Sequence, residues 1–142
     1  MTTRDDLLQL GRRILAEQPF SVQLGAELTA FEPGRAELRL TVRPDHLQQH
    51  GFVHGGVVSY LADNALTYAG GSVLPEGGVV TAEFKINYVR PAVGEALVAR
   101  AHAPHAGRSQ AVCRCDVFAV RDGTEKLCAM AQGTIVPLAG GG

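Results

Sequence analysis

The segment that most constrains the fold is residues 55–70, GGVVSYLADNALTYAG, which ends at the helix-stop pair Gly70-Gly71. Its spacing predicts one long helix, and its apolar side chains cover nearly the whole circumference: Val57, Val58, Tyr60, Leu61, Ala62, Ala65, Leu66, Tyr68 and Ala69. Because a helix that is apolar all round is buried, we expect the rest of the chain to enclose it on all sides. Asp63 then stands out, since a carboxylate is rarely buried without a partner or a task.

Strands surround this helix in the sequence. Residues 35–43 alternate strictly between apolar and polar side chains, and the turn EPG joins them to residues 25–31 in a predicted hairpin. Four further strands are predicted at 79–89, 95–105, 109–120 and 125–136, each bounded by turn residues. Strands with one apolar face form an antiparallel sheet covered on one side. We therefore predict an α+β fold in which a curved six-stranded antiparallel sheet wraps around one central helix.

The two ends of the chain complete this organisation. Thr3 is a suitable N-cap with Asp5 and Asp6 in the first turn, so residues 1–20 predict an N-terminal helix that ends before Pro19. The length of 142 residues suits one domain, 1–142, and the glycine-rich residues 138–142 are expected to be a flexible tail.

Composition excludes several classes of protein. The 13 basic and 14 acidic residues leave no obvious polyanion-binding face, which argues against nucleic acid as a partner. No segment is long and apolar enough to span a bilayer, and the acidic start is unlike a signal peptide, so we expect a cytoplasmic protein without a membrane partner. The three cysteines, Cys113, Cys115 and Cys128, predict small core residues and neither a disulfide framework nor a zinc site.

Gly55 and Gly56 open the central helix although two successive glycines are poor helix formers, each costing on the order of 1 kcal/mol relative to alanine. One explanation is that the missing side chains let an acceptor approach the first amide N–H groups, where the helix dipole favours negative charge. That geometry would serve as an oxyanion hole for acyl transfer. The other explanation is that the pair only lets the helix pack closely against a strand.

The spacing of Gly55 and Asp63 limits how they could cooperate. They are eight residues apart, which is roughly 12 Å along a helix. One substrate carbonyl cannot reach both groups on the same helix. Either the two act separately, or the carboxylate that faces Gly55 belongs to a second copy of the chain. The second possibility predicts an active site at a homodimer interface.

Three histidines, His46, His50 and His54, recur at four-residue intervals and would share one face of a helix, as metal ligands can. Pro44 and Gly51 argue against a regular helix there. We therefore expect no metal site, and we expect His46 and His50 to be loop residues.

The chain resembles the hotdog-fold acyl-CoA thioesterases, particularly the PaaI-like and 4-hydroxybenzoyl-CoA thioesterase group. The resemblance rests on Gln48, the string GFVHGG at 51–56, Asp63 and the string TAEFKINYVRPAVGE at 81–95, and it extends over nearly the whole chain. It implies the hotdog fold, an acyl-CoA substrate, no cofactor beyond the coenzyme A of the substrate, and a homodimer or a dimer of dimers.

The resemblance also implies roles for individual residues. Asp63 would be the catalytic carboxylate, acting as nucleophile or as general base on water, and Gly55 would donate its amide to the thioester carbonyl from the other subunit. His54 would shape the start of the helix, Gln48 would lie near the thioester or the water, and Thr81 would help to hold the water. Many PaaI-like members have asparagine where this chain has Gln48.

Residues that bind the substrate are suggested more loosely. Gly56 lies beside the expected oxyanion donor. Eleven of the 13 basic residues are arginine, whose guanidinium group suits phosphate, and Arg90 and Arg108 are the best placed for the phosphates of coenzyme A. Both could equally be solvated surface residues.

Two classes of function follow. The first is a hydrolase that cleaves acyl-CoA to a free acid and CoA. The second is a non-catalytic hotdog module that binds an acyl-CoA or acyl-carrier ligand as a sensor or scaffold, which would not require the carboxylate. The sequence favours the hydrolase and leaves the acyl group open.

Overall fold

The computed structural model describes residues 3–138. The N-terminal part contains the helices α1 (Arg4–Ala16) and α2 (Pro19–Leu24), and the long helix α3 spans Gly55–Gly71. The strands are β1 (Ala26–Glu32), β2 (Arg35–Thr41), β3 (Val79–Tyr88), β4 (Ala96–Ala106), β5 (Ala111–Arg121) and β6 (Thr124–Pro137). The predicted central helix is confirmed to within one residue, and all six predicted strands are present. The predicted tail lies outside the described residues apart from Leu138.

All six strands form one antiparallel sheet in the order β1-β2-β4-β5-β6-β3. Apolar residues of the inner face pack on α3, among them Leu38, Leu97, Val117 and Ile135, each fully buried. Contact between helix and sheet is so close at Gly70 that a Cβ there would lie 2.7 Å from Cβ of Ile135. The predicted α+β architecture, a curved sheet around a central helix, is therefore confirmed.

The N-terminal segment contains the helix predicted for residues 1–20 and, from Pro19 onward, a second helix that was not predicted. Thr3 caps α1 as expected, accepting a hydrogen bond from the amide of Asp6 at 3.1 Å. The chain then breaks at Glu17 and Gln18 and begins a second helix at Pro19, which continues to Leu24. The first helix ends before Pro19, as predicted, and the second was not predicted because proline, which stops a helix from its interior, is also favoured in the first turn of a new one.

Strand β3 is an edge strand, hydrogen-bonded only to β6 within the described chain. It is ten residues long, and a bulge between Thr81 and Glu83 leaves Ala82 without a partner on β6. Val80 and Tyr88 expose 45% and 54% of their surface. Long exposed edges readily pair with another strand. By contrast, the opposite edge strand, β1, has α1 packed against it.

The apolar composition of α3 predicted that the helix is enclosed on all sides. This prediction was wrong, because one stripe of the helix is open. Tyr60, Asp63, Asn64 and Thr67 share one stripe of the helix and are only half buried. Three of these four side chains are polar. Asp63 thus lies at the open stripe of a helix whose other faces are buried in the core.

Candidate active site

The start of α3 is fixed by His54, which is its N-cap residue. The Gly56 amide donates to Nδ1 of His54 at 2.8 Å, and the His54 amide donates to the carbonyl of His46 at 2.8 Å. A Cβ on Gly56 would lie only 2.9 Å from that His54 nitrogen, so the second glycine makes room for the cap. Within residues 3–138, the Gly55 N–H has no acceptor. Of the two amides, only that of Gly55 is therefore available to a ligand.

His46 does not behave as an ordinary loop residue. It ends a short 3-10 turn, Pro44–His46, and is buried, with 1% of its surface exposed. Its Nδ1 accepts a hydrogen bond from the Arg43 amide at 3.0 Å, while its Nε2 is the one buried side-chain nitrogen or oxygen in residues 3–138 without a partner. His46 therefore lies in the loop between β2 and α3, as expected, but its burial was not anticipated, and through its carbonyl it anchors the segment that carries His54. His50 is exposed in a turn, as expected.

A cleft of about 360 Å³ lies at the start of α3. Its lining includes Gln48, Gly55, Tyr88 and Arg90. Tyr88 donates from its hydroxyl to the Gly55 carbonyl at 3.1 Å. Sequence reasoning missed Tyr88, since nothing in an alternating strand indicates which side chain will reach a helix start. We call this space the amide cleft.

Two other predicted residues of the amide cleft have polar groups that are partly engaged. The side-chain oxygen of Gln48 accepts hydrogen bonds from the amides of His50 and Phe52. This fixes the loop and leaves its NH₂ group without an acceptor in residues 3–138. Arg90 donates from Nη1 to the carbonyl of Leu127 at 2.7 Å and is otherwise exposed at the cleft.

Asp63 is held by strand β3. Thr81 donates from Oγ1 to Asp63 Oδ1 at 2.6 Å. Thr67, one turn further along α3, donates to the Asp63 carbonyl at 2.8 Å, and its hydroxyl lies 3.2 Å from that of Thr81. The other carboxylate oxygen, Oδ2, has no donor in the described chain. The carboxylate is thus oriented through one oxygen and open through the other, as a base or nucleophile requires.

Asp63 opens into a second space, which we call the carboxylate cleft, of about 480 Å³. Its walls are the α1–α2 junction and the open stripe of α3, and they consist of Glu17, Gln18, Pro19, Phe20, Ser21, Tyr60, Asp63, Asn64 and Thr67. The rings of Phe20 and Tyr60 meet edge to face, with centroids 5.3 Å apart. The sequence did not reveal this wall, because the second helix that forms it was not predicted.

A hydrogen-bonded network lines the carboxylate cleft. Tyr60 donates from its hydroxyl to Ser21 Oγ at 2.6 Å, and Ser21 donates to Gln18 Oε1. Asn64 donates from Nδ2 to Gln18 Oε1 at 3.2 Å and to the Tyr60 hydroxyl at 3.1 Å. Burial raises the pKa of Tyr60, and its hydrogen bonds with Ser21 and Asn64 offset part of that rise. Tyr60 therefore stays a neutral phenol at physiological pH.

Gly55 and Asp63 line different clefts of one chain. The structure brings Gln48, Gly55 and Arg90 together in the first, and it brings Asp63 and Thr81 together beside the second. Gly55 and Asp63 thus belong to two separate groups of residues, which agrees with the roughly 12 Å that the helix rise places between them.

Arg108 lines neither the amide cleft nor the carboxylate cleft. It is exposed in the turn between β4 and β5, shortly before Ala111, whose register partner Ile135 also pairs with Thr81 near the start of β3. Arg90 follows the far end of β3, so the two arginines of one chain are nearly a strand length apart, roughly 30 Å. One chain therefore does not join them into one phosphate site.

Three further features concern metal ions, membranes and the cysteines. Residues 3–138 hold no group of three His, Cys, Asp or Glu side chains arranged for a metal ion. Within the same part of the chain, no helix is long and apolar enough to cross a membrane. The cysteines Cys113, Cys115 and Cys128 are buried free thiols, as predicted.

Comparison with known proteins gives a consistent result. The model of the thioesterase superfamily matches residues 50–126, which include Gly55, Asp63 and Thr81. Over 113 residues the chain is 32% identical to a 1,4-dihydroxy-2-naphthoyl-CoA hydrolase of Listeria monocytogenes, with 79% of this chain and 89% of the relative covered.

Solved structures agree. A thioesterase family protein from Silicibacter pomeroyi superposes with a TM-score of 0.86 at 38% identity, covering 92% of this chain and 96% of the other. A mutant of the phenylacetic acid degradation protein PaaI from Thermus thermophilus superposes with a TM-score of 0.73 at 35% identity, covering 85% of this chain and all of the other. Both pairs share the architecture of a sheet wrapped around a helix.

Proposed function

The chain belongs to the thioesterase superfamily, and from this premise we propose that it hydrolyses an acyl-CoA thioester with Asp63 of one subunit and the Gly55 amide of another. The observation that carries the proposal is the hydrogen bonding of the two carboxylate oxygens of Asp63. Its carboxylate is oriented by Thr81 through one oxygen, is open through the other, and faces a cleft. Oδ2 is not among the buried atoms of residues 3–138 that lack a partner, so water or a substrate can reach it.

The proposed reaction needs only groups of this chain. Asp63 takes a proton from water, the water oxygen attacks the thioester carbonyl carbon, and the resulting oxyanion accepts a hydrogen bond from Gly55 N–H. The C–S bond then breaks, and the departing thiolate takes the proton from Asp63 to give CoA and the free acid. In the alternative route Asp63 attacks the carbon itself, and water later hydrolyses the acyl-aspartate. No metal or separate cofactor takes part in either route.

A second subunit is part of this proposal. Gly55 and Asp63 line separate clefts of one chain, so an amide facing Asp63 has to come from elsewhere. The exposed edge of β3 supports a homodimer in which two β3 strands pair antiparallel, which would also place the two α3 helices antiparallel. Two such dimers could associate further.

Substrate contacts follow from the same arrangement. Gln48 and Arg90 share the amide cleft with Gly55, and we assign the Gln48 NH₂ group to the thioester or the water and Arg90 to a phosphate of coenzyme A. Arg108, at the other end of the sheet, would reach a phosphate only beside a partner's cleft. Gly56 acts through the His54 cap. Because acyl-CoA is an intracellular metabolite and the thiols are free, we place the reaction in the cytoplasm.

The test compares CoA release from a panel of acyl-CoAs by the wild type, Asp63→Asn and Asp116→Asn. Asp116 is an exposed aspartate on β5 and serves as the matched control. We expect Asp63→Asn to lower turnover by about 100-fold or more, and Asp116→Asn to leave it unchanged. Equal turnover by wild type and Asp63→Asn would reject the assignment. Tight acyl-CoA binding by a wild type that releases no CoA would support the non-catalytic sensor or scaffold instead.

A further inference from the structure

Tyr88 reaches from the end of β3 to the first residue of α3, where the proposed oxyanion donor lies. We propose that Tyr88 is a positioning residue. Its hydroxyl holds the peptide unit that follows the Gly55 Cα and so keeps the Gly55 N–H in the orientation that meets the thioester carbonyl. Tyr88 acts through Gly55 and not on the reacting atoms. This inference rests on the proposed function, since it takes Gly55 as the donor.

The first observation concerns the two peptide units on either side of the Gly55 Cα. The unit that follows the Cα is held at both ends. Its oxygen accepts a hydrogen bond from the Tyr88 hydroxyl at 3.1 Å, and its N–H, which is that of Gly56, donates to His54 Nδ1 at 2.8 Å. The unit that precedes the Cα is held at its oxygen, which accepts from the Val57 amide at 2.9 Å. Within residues 3–138, the Gly55 N–H is the remaining polar group of the two units.

The second observation is that glycine does not fix this geometry by itself. Gly55 and Gly56 are the first two residues of α3, where amide groups have no acceptor within the helix, and glycine has the widest choice of backbone dihedral angles. The direction of the Gly55 N–H therefore depends on how firmly the neighbouring peptide units are held. Without the bond from Tyr88, the unit that follows Gly55 would lose the support that the sheet gives to its oxygen.

The third observation is the contact between the Tyr88 ring and the Gly55 backbone. A Cβ on Gly55 would lie 3.5 Å from Cζ of Tyr88 and 3.6 Å from its hydroxyl oxygen, and both residues line the amide cleft. The strand fixes the other end of the tyrosine. Tyr88 is in register with Ala129 on β6, and the next amide, that of Val89, donates to the carbonyl of Cys128 at 2.9 Å. Tyr88 is thus anchored to the sheet independently of the helix that it supports.

One edge strand thereby orients both proposed groups. Thr81, near the start of β3, donates to Asp63, and Tyr88, at the end of the same strand, donates to Gly55. Preorganised donors of this kind lower a reaction barrier because no reorganisation is needed when charge develops. In the proposed homodimer the partner strand would cover this edge and shield the bond from Tyr88, which is exposed in the single chain.

The first experiment measures kcat and KM for CoA release by the wild type, Tyr88→Phe and Tyr68→Phe, together with their thermal unfolding. Tyr68 is the matched control, because its hydroxyl also donates to a glycine carbonyl, that of Gly11 at 2.8 Å, and it lines neither cleft. We expect Tyr88→Phe to lower kcat by about fivefold with little change in KM, as for one neutral hydrogen bond lost from a transition state. Tyr68→Phe should lower the melting temperature and leave kcat unchanged. Equal kcat values for wild type and Tyr88→Phe would overturn the inference.

A double variant shows whether Tyr88 acts through the Gly55 amide. Gly55→Pro has no N–H to position, so adding Tyr88→Phe to it should lower kcat no further, whereas the effects of independent sites would multiply. A merely structural role of the tyrosine would reduce kcat by the same factor in both backgrounds. That outcome would overturn the inference even if Tyr88→Phe alone impairs turnover.

A spectroscopic experiment separates this inference from the proposed catalysis. Hexanoyl-CoA and benzoyl-CoA, each labelled with carbon-13 at the thioester carbonyl, are bound to Asp63→Asn, and infrared difference spectroscopy measures the carbonyl stretching frequency. A hydrogen bond from Gly55 N–H lowers this frequency relative to the free compound. We expect the lowering to shrink when Tyr88→Phe is added to Asp63→Asn, to vanish when Gly55→Pro is added, and to persist when Tyr68→Phe is added.

The outcomes of this experiment are distinct. If Gly55→Pro abolishes the lowering and Tyr88→Phe does not change it, only the positioning role of Tyr88 fails. If Gly55→Pro leaves the frequency unchanged, or if the bound carbonyl shows no lowering, Gly55 is not the donor, and the proposed function fails together with the inference.

Discussion

Thr81 and Asp63 are joined by a hydrogen bond of 2.6 Å that links the edge strand β3 to the open stripe of α3. The two residues are 18 positions apart in the chain, and the contact orients one carboxylate oxygen while the other stays free. Edge strand β3 and helix α3 are thereby coupled at the point where the proposed chemistry occurs.

Removing that hydrogen bond should impair turnover without unfolding the protein. Thr81→Val keeps the shape of the side chain and deletes the hydroxyl, so we expect kcat to fall about tenfold or more, as for a lost hydrogen bond to a charged group. Thr81→Ser retains a hydroxyl and should stay near the wild type. CoA release and thermal unfolding are measured for both. Equal rates for the valine and serine variants would show that the bond is irrelevant to catalysis.

The amide of Gly55 can be deleted without disturbing the helix. Gly55 is the first helical residue, where proline is favoured, and His54 at φ −58° and ψ 137° already has the conformation that a following proline requires. Gly55→Pro should therefore fold but lose about 100-fold in kcat, as when an oxyanion donor is removed. Gly55→Ala keeps the N–H, and its Cβ would contact Tyr88 at an ordinary 3.5 Å. If the proline variant turns over as fast as the alanine variant, Gly55 is not the donor.

Mixing two inactive variants tests whether the site is shared between subunits. Asp63→Asn and Gly55→Pro are unfolded together in equal amounts and refolded, so that about half of the dimers are mixed. Each mixed dimer contains one site with both groups intact, and we expect about a quarter of wild-type activity to return. No recovery, with mixed dimers demonstrated by mass spectrometry of differently tagged chains, would place both groups in one subunit.

The edge of β3 should control assembly. Ala82 lies at the bulge and has no register partner on β6, so Ala82→Pro removes an N–H from the edge while leaving the β6 pairing in place. We expect light scattering to give the mass of the 15.0 kDa chain for this variant and twice that mass or more for the wild type. Its CoA release should be lost with the dimer. A monomeric and fully active wild type would contradict both the interface and the shared site.

Acid should weaken one ion pair on the outer face of the sheet. Arg100 donates to both oxygens of Glu125 at 2.7 Å, and its guanidinium holds the pKa of Glu125 below the usual range. Because the pKa is lower in the folded state, the stabilisation is full above the pKa of the unfolded chain and is lost as pH falls through that of the folded protein. The side chains are 44% and 37% exposed, so the pair contributes at most about 1 kcal/mol.

Glu125→Gln should accordingly lower the melting temperature slightly at neutral pH, and the difference from wild type should shrink at an acid pH below the ordinary range of a glutamate pKa. Thermal unfolding followed by circular dichroism at both pH values measures this. A difference that persists unchanged in acid would mean that the charge of Glu125 is not its cause.

Sequence patterns anticipated the central helix and six strands because these depend on local periodicity. Alternation at 35–43 reports one buried face, and the run at 55–70 reports a helix in the core. The same patterns did not predict helix α2, because a proline is compatible both with the end of one helix and with the beginning of another. Pro19 could end a helix or begin one, and in the folded chain it begins α2, which supplies Phe20 and Ser21 to the carboxylate cleft.

The residue types in the sequence also identified the two candidate groups. A carboxylate in an apolar helix and a glycine pair after a histidine can be recognised without coordinates. The eight-residue separation that keeps them apart can be recognised in the same way. Only the tertiary structure decided which atoms are available. It gives the Gly56 amide to His54, leaves that of Gly55 free, ties one oxygen of Asp63 to Thr81, and buries His46. The physical reason is that availability depends on hydrogen-bond partners from distant parts of the chain, whereas periodicity reports only on neighbouring residues.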